Sequence, residues 1–238
     1  MADVDVVHTN IGTESLIQDW HAAARMIDHT LLRPEATRAQ IIEHCREAAP
    51  YGFATVCVHP CWVALAVAEL KGTRTKVDAT VGFPQGAVLT TVKRYEAEQL
   101  VRLGAGELDM VINVGMLKCG ERDYVENDIR AVAEVAHASG VILKVILETY
   151  LLTEDEKTQG CELALAAGAD FVKTSTGLVG GATVEDVQLL RSTVGNRAGV
   201  KASGGIRTAA ELAAMVKAGA SRIGTSAGVK IVKELGAP

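Results

Sequence analysis

Short apolar runs rich in β-branched residues recur along this chain, each closed by a Gly, Pro or hydroxyl turn and followed by an amphipathic stretch. Eight are present, at residues 26–29, 54–59, 77–83, 107–113, 141–148, 171–174, 199–203 and 222–225. The intervening segments carry helix punctuation. Thr37/Gln40, Thr153/Glu156 and Thr208/Glu211 fit the capping box, in which a Thr hydroxyl and a carboxyl or amide three residues on satisfy free backbone N–H groups. Gly104-Ala105, Gly168-Ala169 and Gly219-Ala220 mark helix exits, where glycine allows a left-handed cap. Strands alternating with helices imply a parallel sheet, and eight units predict an α/β fold of the closed (β/α)₈ TIM-barrel type. An open doubly wound sheet is the alternative, but the dinucleotide glycine fingerprint is missing after the first clear strand. Residues 1–25 form an extension, with a helix expected over 14–25 across the barrel base. The whole chain reads as one domain.

Composition narrows the function. Hydrophobic residues make up 48% and charged residues 22% of 238, enough for a large core. A net charge of −5 and the lack of a long Lys/Arg run argue against nucleic-acid binding. No apolar span reaches 18 residues and no basic region precedes an apolar one at the N-terminus, so neither a membrane anchor nor a secretory signal is expected. Five scattered cysteines, an odd number, point to reduced thiols and a cytoplasmic protein. Cys57, His59 and Cys61 fit no common zinc spacing, and no metal or cofactor is expected.

Two lysines stand out in apolar strands: Lys173 in Phe-Val-Lys-Thr-Ser-Thr-Gly (171–177) and Lys201 in Gly-Val-Lys-Ala-Ser-Gly-Gly (199–205). Burying an ammonium is costly, and burial or a second cation nearby lowers a lysine's pKa. A neutral amine can then attack a carbonyl to form a Schiff base. Lys173 is the better nucleophile and Lys201 the neighbour that depresses its pKa, though the roles are interchangeable at this level. Lys144 is a third strand lysine, and a structural ion network with Asp109 and Glu148 is the plainer account of it. Asp109 is expected to hold a lysine charged or relay protons. Barrel enzymes place their sites at the C-terminal strand ends, with phosphate after strands seven and eight. The turns Gly204-Gly205 and Gly224-Thr225-Ser226 suit an anion there, because glycine lets backbone N–H groups approach it. Asp28 and Thr30 are candidates for binding a substrate hydroxyl, and Cys57 for lining the pocket. His29 and His59 are possible pocket residues, while His8, His21, His44 and His137 read as surface or helix positions.

These motifs together resemble the deoxyribose-phosphate aldolases. The resemblance rests on Ile-Asp-His-Thr-Leu-Leu (27–32), Thr-Val-Cys-Val-His-Pro (55–60), Val-Gly-Phe-Pro-Gln-Gly (81–86) and Glu-Leu-Asp-Met-Val-Ile-Asn (107–113). It continues through Leu-Lys-Val-Ile-Leu-Glu-Thr (143–149), the two lysine strands, and Arg-Ile-Gly-Thr-Ser (222–226). It implies a class I aldolase on a (β/α)₈ barrel that reversibly cleaves 2-deoxy-D-ribose 5-phosphate to acetaldehyde and D-glyceraldehyde 3-phosphate. By the family pattern Lys173 forms the Schiff base, and Lys201 with Asp109 forms the proton relay. Gly204, Gly205, Thr225, Ser226 and Gly177 would hold the phosphate. The resemblance also implies a homodimer. The chain departs from the family pattern in a shorter Gly-rich stretch after Gly177, Leu178 to Thr183. Two other readings use the same turns: a sugar-phosphate isomerase with Lys201 as base and no covalent intermediate, and a non-catalytic sugar-phosphate sensor.

Overall fold

The computed structural model describes residues 19–238. Of the helix expected over 14–25, it contains α1 (Trp20–Ala24), capped by the Asp19 carboxylate, which accepts from the His21 N–H at 3.0 Å. Residues 14–18, and His8, lie outside the described residues.

Eight strands close into one parallel barrel in sequence order: β1 (Ile27–Leu31), β2 (Thr55–Val58), β3 (Lys76–Val81), β4 (Glu107–Val111), β5 (Ile142–Ile146), β6 (Phe171–Lys173), β7 (Gly199–Ser203) and β8 (Arg222–Thr225), with β8 pairing back onto β1. This is the (β/α)₈ barrel predicted from the periodicity. Several apolar runs outlast their strands because burial continues into the following loop. Leu147, just past β5, is fully buried, and its N–H donates to the Lys173 carbonyl at 2.9 Å.

The helical layer comprises α2 (Arg38–Ala48), α3 (Val63–Glu69), α4 (Thr90–Arg102), α5 (Val114–Lys118), α6 (Arg122–Ala138), α7 (Glu154–Ala166), α8 (Val184–Val194), α9 (Ala209–Lys217) and α10 (Gly228–Glu234). All three expected capping boxes form with both bonds in place. None of the described helices is long and apolar enough to cross a membrane. All five cysteines are free thiols.

Alternation along the strands sorts two environments. Val56, Leu108, Leu143, Val172, Val200 and Ile223 belong to the buried apolar core. The alternate positions carry charge: Asp28, Asp78, Glu107, Asp109, Lys144, Lys173, Lys201 and Arg222 pair with one another across the barrel. Branched aliphatic side chains usually fill such a barrel. Here much of the interior is an ion lattice.

Candidate active site

Strand register builds the centre of this lattice. Lys173 on β6 pairs with Lys201 on β7, and Asp109 on β4 pairs with Lys144 on β5. Asp109 Oδ2 lies 2.5 Å from Lys173 Nζ and 2.6 Å from Lys201 Nζ, while its Oδ1 accepts from Lys144 Nζ at 3.0 Å. Lys201 also contacts Asp28 at 2.5 Å and Asp78 at 3.1 Å. Lys144 contacts Glu107 at 2.7 Å and Asp78 at 3.1 Å. Arg222 closes the base, bridging Asp28 and Glu107 at 2.7 Å each and lying over the Phe171 ring. Glycine makes this packing possible at two places. A Cβ on Gly199 would sit 2.1 Å from the Phe171 ring, and one on Gly224 would sit 2.2 Å from Ser203 Oγ and 3.2 Å from Lys201 Cε.

The charges fix one another's protonation. For Asp109, burial favours the neutral acid, but Lys144, Lys173 and Lys201 outweigh it and hold the carboxyl well below its usual range. Burial likewise opposes charge on Lys201, yet Asp109, Asp28 and Asp78 keep this ammonium well above the ordinary lysine value. Lys144 is raised in the same way, against burial, by Asp109, Asp78 and Glu107. Asp78 is the exception. Burial and then the adjacent Asp109 push it up to about 6, although Lys144 and Lys201 pull the other way.

A cleft of about 380 Å³ opens above this centre. Of the eight charged residues, Lys173 lines it, and Lys201 and Lys144 are wholly buried beneath. The walls include Thr30, Gly177, Ser203, Gly204, Gly205, Arg207, Gly224, Thr225 and Ser226. The strand six, seven and eight loops are tied together. The Thr174 hydroxyl donates to the Ser203 carbonyl at 3.3 Å and accepts from the Ser203 N–H at 3.1 Å. The Thr225 hydroxyl donates to the Ile206 carbonyl at 2.6 Å. The short loop after Gly177 docks directly on the seventh turn: the Ala182 N–H donates to the Gly204 carbonyl at 3.1 Å.

The sequence candidates thus divide. Lys173, Thr30, Gly177, Gly204, Gly205, Gly224, Thr225 and Ser226 meet at the cleft, with Asp109 and Lys201 directly below. Asp28 and Cys57 do not line it. Asp28 is fully buried at the barrel base, where it accepts from Thr55 at 2.8 Å and pairs with Arg222, because its register places it one layer too deep. Cys57 is fully buried, and burial, then Asp78 and Asp109, raise its thiol well above the usual value, so it remains protonated. Glu148 does not join the lysines as the ion-network account expected. Its backbone is left-handed (φ 59°), and its carboxylate accepts from the Thr176 N–H and hydroxyl, bracing the Lys173 loop. His29 and His59 point elsewhere, and His44 is a helix position, as expected, on the buried face of α2: its ring stacks on His29 at 3.9 Å. The environment of Lys173 also differs from the pair of cations read from the sequence, since a carboxylate oxygen stands between the two amines.

Sequence reading missed Asp78, Glu107 and Arg222 as parts of the site. Polar residues at inward parity in strands were the available signal. Two groups have donor atoms clustered closely enough to consider for a metal: Cys57, Asp78 and Asp109, and His29, His44 and Glu47. In the first, ammonium groups already occupy the carboxylates. In the second, the stacked rings lie 17° from parallel, so their lone pairs cannot converge on one ion. Neither fits a cation.

A closed barrel whose buried amine–carboxylate centre opens through one lysine into a glycine-rimmed cleft defines a carbonyl-processing lyase of the aldolase type. The chain belongs to the DeoC/LacD family of aldolases, whose model matches residues 22–234. It is a class I aldolase of that family. It is 57% identical over 211 residues to a deoxyribose-phosphate aldolase from Geobacillus sp. (strain WCH70), covering 88% of this chain and 94% of the relative. The structure of a tetrameric deoxyribose phosphate aldolase from Aeropyrum pernix superposes with a TM-score of 0.87 at 33% identity, covering 93% of this chain and 94% of that one. An aldolase designated QR15 superposes with a TM-score of 0.85 at 39% identity, over 89% and 94% of the two chains.

Proposed function

We propose that this aldolase reversibly cleaves 2-deoxy-D-ribose 5-phosphate to acetaldehyde and D-glyceraldehyde 3-phosphate through a Schiff base on Lys173. One observation carries the reading: the Lys173 amine borders the cleft while hydrogen-bonded at 2.5 Å to Asp109 Oδ2, which Lys201 also reaches. The amine adds to C1 of the open-chain sugar, and loss of water leaves an iminium. That cation is an electron sink, so breaking the C2–C3 bond as the 3-hydroxyl loses its proton gives a neutral enamine and free glyceraldehyde 3-phosphate. Protonation of the enamine carbon, relayed by Lys201 and Asp109, and hydrolysis then release acetaldehyde and the amine.

The 5-phosphate sits in this reading at the other end of the cleft, where Gly204 and Gly205 present bare backbone beside Ser226, Gly177 and the Arg207 guanidinium. Thr30 is the wall hydroxyl available to the sugar. The names of relatives above half identity, the Geobacillus enzyme among them, support this choice of substrate. A homodimer and a cytoplasmic location belong to the same reading, the latter supported by five unpaired thiols.

Incubation with acetaldehyde and borohydride tests the chemistry. The expected result is one irreversible two-carbon adduct on Lys173, located by peptide mass spectrometry. An unmodified, fully active protein overturns the reading and returns the isomerase.

A further inference from the structure

Asp78 belongs to the buried centre, yet the reaction just described makes no use of it. Its Oδ2 lies 3.1 Å from Lys201 Nζ and 3.1 Å from Lys144 Nζ, while its Oδ1 is buried with no hydrogen-bond partner. The groups around it come from every side of the barrel: Asp28 on β1, Cys57 on β2, Glu107 and Asp109 on β4, Lys144 on β5, Lys173 on β6, Lys201 on β7 and Arg222 on β8. Within that set the four acids Asp28, Asp78, Glu107 and Asp109 face the four bases Lys144, Lys173, Lys201 and Arg222. The lattice is neutral when all are ionised. A nucleophilic Lys173 must be uncharged, which leaves four acids against three bases in a water-poor interior. Neutrality then requires one acid to hold a proton.

We infer that Asp78 is the proton store of this aldolase, taking up through Lys201 the proton that Lys173 gives up and returning it when the iminium forms. The inference rests on the Schiff-base reading and extends the Lys201–Asp109 relay by one residue. Asp78 touches no reacting atom and acts through Lys201.

The proton balance closes. The Lys173 ammonium gives a proton to Asp109 Oδ2. Lys201 passes one of its own protons to Asp78 and takes that of Asp109 in exchange. Lys173 is then neutral, Asp109 and Lys201 have their charges back, and Asp78 is an acid. The amine adds to the aldehyde carbonyl, and expulsion of the carbinolamine hydroxyl as water consumes one proton, which Asp78 returns by the reverse route. Deprotonating the 3-hydroxyl during C2–C3 cleavage refills Asp78, and protonating the enamine carbon empties it again. Hydrolysis of the acetaldehyde iminium releases the last proton. No electrons leave the substrate, and the lattice charge stays constant throughout.

Asp78 suits the task because Asp28 and Asp109 are held ionised, whereas burial and the neighbouring Asp109 raise Asp78 to about 6. Because Oδ1 has no partner, Oδ2 alone carries the contacts that favour the ionised form, and Lys201 reaches that oxygen at 3.1 Å to deliver or recover the proton.

The test compares wild type with Asp78→Asn, which keeps the shape and cannot store a proton. Acetaldehyde is incubated in deuterium oxide, and deuterium entry into its methyl group is followed by NMR beside the pH profile of kcat. The variant is expected to trap the Lys173 adduct at the same site but more slowly than wild type, to exchange methyl protons at least tenfold more slowly, and to lose a kcat inflection near pH 6. Wild-type exchange with that inflection intact in Asp78→Asn overturns the proposal. Carboxyl-labelled aspartate in the wild-type enzyme gives a readout that needs no variant. The Asp78 carboxyl, assigned through its own backbone, should titrate near pH 6, and an Asp78 ionised throughout pH 4–8 also overturns the store. Failure of wild type to trap at Lys173 would instead refute the Schiff base, a separate outcome.

Discussion

Lys173 and Lys201 are register partners on neighbouring strands, and both ammonium groups reach the same oxygen, Asp109 Oδ2, at 2.5 and 2.6 Å. They are nonetheless unequal. Lys173 borders the cleft and pairs with Asp109 alone, whereas Lys201 is fully buried against three carboxylates. Their substitutions should therefore fail differently.

Lys173→Leu removes the nucleophile while Asp109 keeps Lys144 and Lys201 as partners. We expect kcat to fall by about 10³-fold or more and the borohydride adduct to vanish, with stability changed by no more than about 2 kcal/mol. Steady-state kinetics and circular dichroism check both halves; cleavage at wild-type rates would refute the assignment.

Lys201→Leu should be equally inactive and also unstable. It strips a cation from Asp28, Asp78 and Asp109 together, and breaking a buried pair from one side costs about 3–5 kcal/mol. Urea unfolding reads the difference. A Lys201→Leu protein as stable as Lys173→Leu would show that the lattice carries little of the fold's stability.

Gly204 and Gly205 both have left-handed backbones, with φ of 91° and 83°, but their surroundings differ. A Cβ on Gly204 would lie 2.9 Å from Gly181 Cα and 3.1 Å from the Gly180 carbonyl, whereas one on Gly205 meets nothing within 4 Å. Gly204→Ala must displace backbone at the seventh turn. It is expected to raise KM for deoxyribose 5-phosphate at least tenfold while leaving turnover of unphosphorylated deoxyribose nearly unchanged. Gly205→Ala carries only conformational strain, about 1–2 kcal/mol. Equal KM changes for both sugars would remove the phosphate from this end of the cleft.

Outside the barrel interior, His29 donates or accepts at 2.8 Å with Glu47 and stacks on His44. Burial, partly offset by the bond to Glu47, lowers His29 from 6.5 to about 4. Because the folded state binds this proton less well than the unfolded chain, the contribution is complete above pH 6.5 and is lost as pH falls toward 4. Its upper size is about 3 kcal/mol. Glu47, lowered to about 2 by its bonds to His29 and His44, loses its contribution only below about 4.5. His29→Gln should flatten the stability curve between pH 4 and 6.5 in urea titrations; an unchanged slope there would exclude His29 as its source.

The chain's own pattern determined the eight strands, the three reciprocal caps, the lysines on β6 and β7, and the glycine turns beside them. Each of these is local: a period, a spacing of three residues, or a residue type out of place in an apolar run. Depth within the barrel was not local. Parity along a strand turned Asp28, Cys57, Asp78, Glu107 and Arg222 inward, but the stagger of the closed sheet decided their level, and hydrogen bonds between strands far apart in sequence set that stagger. Lys201 meets Asp78 at a sequence separation of 123, and Arg222 meets Asp28 at 194. Tertiary structure alone therefore assigned Asp28 and Cys57 to the interior, turned Glu148 away to brace Thr176, and placed a carboxylate between two lysines, because long-range pair energies depend on distances that only ring closure fixes.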